Sequence, residues 1–157
     1  MPKAAWGKMK PIFVLNGPNL NMLGLREPAV YGTATLKDIE DRCRQHGAAL
    51  GLDIDFRQSN HEGDLVSWIH EARETASAIA INAGAYTHSS IALHDALKSA
   101  GLAAVEVHLS NVHARESFRH TSMIAPAVSG VICGFGAESY LLAISALYSI
   151  LTANKKA

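Results

Sequence analysis

Glu106 and His108 stand two residues apart inside an otherwise apolar stretch, Ala103 to Leu109. Residues two apart on a strand point to the same face. Polar side chains in such a strand are costly to bury unless they satisfy one another. The pair reads in two ways: a core histidine held by a carboxylate, or a histidine whose tautomer Glu106 fixes for acid or base work. A second constellation lies in the stretch Gly24 to Gly32, where Arg26 precedes Tyr31 by five residues. A tyrosine ionises near pH ~10 and is a poor base at neutrality, but a guanidinium nearby favours the phenolate. Tyr31 is therefore either ordinary loop packing or an activated base. Arg119 is either a solvated surface charge or a planar fork for a carboxylate. His88 and Asp95 stand seven apart, on one face of a helix read from this region. Seven residues rise ~10 Å, too far for one small ligand to touch both. They are a helix-start histidine and a solvated aspartate, or Asp95 serves a neighbouring chain.

Other chemistries find no carrier. The histidines and the two cysteines, Cys43 and Cys133, show no zinc spacing, neither His-Glu-x-x-His nor Cys-x-x-Cys. There is no Walker loop and no Gly-x-Ser-x-Gly elbow. Gly134-x-Gly136-x-x-Ser139 is an incomplete dinucleotide fingerprint with no later strand to supply a ribose-binding acid. No lysine falls on a core strand, so an imine mechanism has no obvious nucleophile.

The elements that must position these groups alternate along the chain. Strands are expected at Pro11 to Asn16, Leu52 to Arg57, Ser77 to Asn82, Ala103 to Leu109 and Gly130 to Cys133. Helical patterns lie between and after them. One starts at Thr35, with Asp38 three residues on, and runs to Leu50. Others run from Asp64 to Thr75, from a cap at Ser89 or Ser90 to Ser99, and from Ala137 to Thr152. Strand–helix alternation at this spacing predicts a single α/β domain with a parallel sheet covered on both faces. The expected order is flavodoxin-like, 2-1-3-4-5. Ligands of such sheets bind beyond the carboxyl ends of the strands. Those ends read Asn16 to Asn21, Ser59 to Gly63, Asn82 to His88, Glu106 to Asn111 and Gly134 to Gly136. Amides, histidines and glycines gathered along one sheet edge predict a shared site.

Taken together, these segments resemble the type II 3-dehydroquinate dehydratases. The resemblance rests on Asn16-Gly-Pro-Asn-Leu-Asn21, Gly24-Leu-Arg-Glu-Pro28 with Tyr31-Gly32, and Ser59-Asn-His-Glu-Gly63. It continues through Asn82-Ala-Gly-Ala-Tyr-Thr-His88, Glu106-Val-His-Leu-Ser-Asn111 and His113-Ala-Arg-Glu-Ser-Phe-Arg119. Two departures stand out: Glu138-Ser139 where a glycine normally precedes the tyrosine, and Asp64 in place of glutamate. The resemblance implies a hydro-lyase converting 3-dehydroquinate to 3-dehydroshikimate by anti elimination through an enolate, without metal or organic cofactor. It implies Tyr31 as the base at C2, Arg26 as its activator, and Asn19 as the group positioning a water on the enolate. It implies His108 as the acid at the C1 hydroxyl, oriented by Glu106. Asn82, His88 and Arg119, with the backbone at Leu109 and Ser110, are implied to hold the substrate. Asp95 is implied to reach from an adjacent subunit of a dodecamer of four trimers.

Composition agrees with a small-molecule enzyme. The 157 residues carry no net formal charge, so nothing favours nucleic acid as a partner. No apolar run reaches the ~18 residues of a membrane span, and the basic stretch before Lys10 lacks the apolar core of a signal peptide. Residues 1–10 and 154–157 are expected as tails flanking a domain at 11–153, and two lone thiols suit the cytoplasm. Two rivals remain at this level: a catalytically idle relative kept for binding or assembly, and a flavin- or nucleotide-binding module.

Overall fold

The computed structural model describes residues 7–25 and 27–154. Five parallel strands form one sheet in the order β2-β1-β3-β4-β5. They span Ile12–Asn16 (β1), Ile54–Gln58 (β2), Ala78–Asn82 (β3), Ala104–His108 (β4) and Gly130–Cys133 (β5). The helices are Pro28–Tyr31 (α1), Leu36–Ala49 (α2), Glu62–Thr75 (α3), Ile91–Ala100 (α4) and Glu138–Asn154 (α5). Strand order and alternation follow the sequence expectation.

β1 shows why both faces are covered. Ile12 and Val14 join a core beneath α2 and α5, with Ile39, Cys43, Tyr140 and Ile144. Phe13 and Leu15 join a second core beneath α3 and α4, with Leu65, Ile69, Leu93 and Leu97. Successive side chains point to opposite faces, so one continuous apolar strand feeds both layers. Helix starts are set locally. Thr35 accepts from the Asp38 amide while the Asp38 carboxylate accepts from the Thr35 amide, a reciprocal cap whose loss costs about 1 kcal/mol. Ser90, not Ser89, caps α4 by accepting from the Leu93 amide at 2.9 Å. Gly101 ends that helix at φ 65°, the left-handed value glycine supplies without cost.

One reading is corrected. His88 does not share a helix face with Asp95: it closes a separate 3₁₀ turn, Gly84–His88, and α4 begins only at Ile91. The stretch Ser110 to Ser122 carries 3₁₀ turns at Val112–Ala114 and Ser117–Arg119. The connection after β1 is broken by a 3₁₀ turn at Leu20–Met22 and by α1.

The turns after β1 and β3 meet closely. The Gly17 amide donates to the Asn82 carbonyl at 2.8 Å. A Cβ on Gly17 would lie 2.4 Å from the Ala83 carbonyl oxygen, so only glycine lets the two turns touch.

Candidate active site

The polar row at the strand ends is set by register. Asn16 lies between Gln58 of β2 and Asn82 of β3. Asn16 and Asn82 are both buried, and one tyrosine hydroxyl joins them. Tyr140 of α5 donates to Asn16 Oδ1 at 2.7 Å and accepts from Asn82 Nδ2 at 2.9 Å. Asn16 Nδ2 donates onward to the Arg57 carbonyl, and Asn82 Oδ1 accepts from the Gly84 amide. Each amide is thus fixed at both ends. Burial pushes the Tyr140 phenol well above its usual range, so the hydroxyl stays protonated and keeps this pattern.

Beyond this row lies a cavity of about 140 Å³. Asn19, Asn82, His88, His108, Leu109, Ser110 and Arg119 all line it, so the structure brings most of the sequence-nominated residues together. Asn19 enters from a left-handed backbone position, φ 68°, pinned by its amide donating to Asn60 Oδ1 at 3.0 Å. Leu20 and Leu23 add apolar wall.

Glu106 lies behind the lining, 2 % exposed, with Oε2 at 3.5 Å from His108 Nε2. The His88 ring runs nearly parallel to that of His108, 15° between planes and 6.5 Å between centroids. Its Nδ1 is 2.8 Å from the Thr121 carbonyl, which can only accept, so that nitrogen carries a proton. Arg119 donates through Nε to Glu116 at 2.6 Å. The Glu116 carboxyl is held below its ordinary range by its own backbone amide first and by Arg119 next.

Asp95 stands apart. It is exposed on α4, bonded to His94 Nδ1 at 3.0 Å, beside a shallow groove lined by Ile91, Ser122, Met123 and Pro126. Arg26 lies outside the described residues; Tyr31 ends α1, and its side chain lies outside them too. No helix among the described residues is long and apolar enough to cross a membrane. No cluster of three or more His, Cys, Asp or Glu among them could hold a metal ion.

The sequence and the fold have counterparts in known proteins. The family described as Dehydroquinase class II matches residues 10–148. The chain belongs to this family. The 3-dehydroquinate dehydratase of Rhizobium johnstonii is 69% identical over 139 residues, 88% of this chain and 96% of that one. That of Rhizobium meliloti is 63% identical over 144 residues, 92% and 97% of the two chains. The solved type II dehydroquinase of Propionibacterium acnes superposes with a TM-score of 0.86 at 45% identity, covering 89% of this chain and 97% of that one.

Two residues of this candidate site escape a reading of the sequence. Arg115 lines the cavity and donates to Ser110 Oγ at 3.3 Å. Its only signal was its place four residues before Arg119. Tyr140 is the second. A tyrosine early in an apolar helix reads as core, and its partners lie 58 and 124 residues away.

Proposed function

We propose that this chain dehydrates 3-dehydroquinate to 3-dehydroshikimate, in the shikimate pathway or in quinate breakdown. The observation that carries the reading is the gathering of Asn19, Asn82, His88, His108, Ser110 and Arg119 around one small cavity at the strand ends. That gathering occurs in a chain whose family relatives are named for this activity.

The reaction removes a proton from C2, beside the ketone, and hydroxide from C1. It therefore needs a base, a stabiliser for the enolate and an acid for the leaving oxygen. Tyr31 is the proposed base, with Arg26 favouring its phenolate and Asn19 positioning a water against the enolate oxygen. His108 is the proposed acid. Its ring faces the cavity while Glu106 sits behind it, an order that suits an imidazole oriented from the rear. Asn82, His88 and Arg119 hold the carboxylate and hydroxyls together with the backbone at Leu109 and Ser110. Arg119 would leave Glu116 for the substrate carboxylate. Asp95 does not line the cavity of its own chain, which fits service to an adjacent subunit in a dodecamer. The proposed enzyme is cytoplasmic and uses neither metal nor organic cofactor.

The test is direct. Purified chain is mixed with 3-dehydroquinate and the ultraviolet absorbance of the conjugated enone is followed with and without chelator. A prompt rise unaffected by chelator is expected. No rise from folded protein would return the chain to the idle-relative reading.

A further inference from the structure

Glu106 has two carboxylate oxygens, and the structure gives them different partners. Oε2 faces His108 Nε2 at 3.5 Å. Oε1 accepts a short hydrogen bond from the hydroxyl of Ser122. That hydroxyl has one proton, and its oxygen also accepts from the Ala125 amide at 3.0 Å. The amide contact occupies a lone pair and leaves the proton directed at the carboxylate. Ser122 is itself held in place. The Thr121 carbonyl accepts a hydrogen bond from His88 Nδ1, and the Met123 amide donates to the Thr87 carbonyl at 2.8 Å. One short segment, Thr121 to Met123, thus fixes one histidine ring through a carbonyl and the carboxylate behind the other through a hydroxyl.

A carboxylate buried to 2 % needs its lone pairs satisfied, and its rotation about the terminal bond is soft. Without a donor on Oε1, either oxygen could turn toward the imidazole, or the group could tilt away. We infer that Ser122 is a positioning residue for the proton donor: it commits Oε1, so that Oε2 is the oxygen left to orient His108. Ser122 does not line the cavity. It acts through Glu106, and the inference rests on the reading of His108 as the acid.

The test compares Ser122→Ala, Ser122→Thr and Ser122→Cys with Glu106→Gln and His108→Asn, measuring kcat and KM for 3-dehydroquinate. Removing a group that orients a functional side chain costs ~10–100-fold, so Ser122→Ala is expected to lower kcat about tenfold with KM within about twofold. Ser122→Thr keeps the hydroxyl and restores most of kcat. Ser122→Cys keeps the shape with a weak donor and stays low, which serves if the alanine variant does not fold. The deciding measurement is the double variant. If Ser122 works through Glu106, adding Ser122→Ala to Glu106→Gln changes kcat by less than about twofold, because interacting residues are not additive.

A full Ser122→Ala effect surviving in the Glu106→Gln background would reduce Ser122 to a cap for the turn at Ala125 and overturn the inference. Parent-like kcat in both Ser122→Ala and Ser122→Cys would overturn it too, while leaving His108 as acid. Parent-like kcat in His108→Asn would instead remove the reading on which the inference stands.

Discussion

At the floor of the cavity Asn16 is 0% exposed and His108 7%, whereas in the loop that continues from its rim Leu25 is 79% exposed. The floor is built from strand ends whose polar groups are cross-linked by Tyr140 and Ser122. The described residues of the loop are mostly exposed. Among the described residues Leu23 is the last buried one before α1, and Glu27 holds a left-handed backbone at φ 38°, which costs a non-glycine residue about 1–3 kcal/mol. The contrast separates two jobs. Groups that must be in place before substrate arrives belong to buried strand ends. Groups that must enclose the substrate belong to a segment with little packing to lose. In the proposed mechanism the acid and the binding groups fall on the floor, and the base with its activator falls on the loop.

That division can be broken at its strongest point first. Tyr31→Phe should lose ~10²–10⁴-fold in kcat with an unchanged melting temperature. Near-normal turnover would end its role as base. Next, Arg26→Ala should lower kcat more than it raises KM; an unchanged kcat with a large rise in KM would make Arg26 a simple binding group. A floor variant should behave in the opposite way. Tyr140→Phe leaves Asn16 and Asn82 each short of a buried partner, costing about 1–3 kcal/mol of stability. KM should rise severalfold as Asn82 loosens, measured by denaturant unfolding and steady-state kinetics on one preparation. Loss of activity without loss of stability would place Tyr140 outside the floor scaffold.

The smallest expected effect is alkaline. Burial pushes the Cys43 thiol up to about 12 and raises the Tyr140 phenol as well. In the unfolded chain these groups ionise near pH ~8.5 and ~10. Both folded values are raised, so the stability they contribute is fully present below the unfolded values. It is lost as pH climbs toward the folded ones. The unfolding midpoint should fall above about pH 9, and Cys43→Val with Tyr140→Phe should flatten that fall. An equally steep fall in the double variant would mean that other groups govern it.

Much of this was legible in the sequence. Strand–helix alternation gave the parallel sheet and its flavodoxin-like order, and the rule that such sheets bind ligands at their carboxyl edge pointed to Asn82, His88 and His108. What could not be read were contacts with no local signature. Tyr140 meets its partners only once α5 packs against β3 and β4. Ser122 reaches Glu106 from sixteen residues away, and as one polar residue in a polar stretch it announced nothing. His88 was misplaced because seven-residue spacing was read as one helix, when His88 closes the preceding turn and α4 begins only at Ile91.

The touching turns also constrain anyone who would redesign this cavity for a bulkier ring. Position 17 admits no side chain, and at position 84 a Cβ would meet the Pro18 carbonyl oxygen at 3.0 Å. Widening by moving those turns would drag Asn82 with them, because its carbonyl and its side chain are tied to Gly17 and Gly84. The room lies instead along the apolar wall at Leu20, Leu23 and Val112, where trimming a side chain leaves every polar anchor in place. A substrate range broadened by directed evolution should therefore record its substitutions on that wall and leave the two glycines untouched.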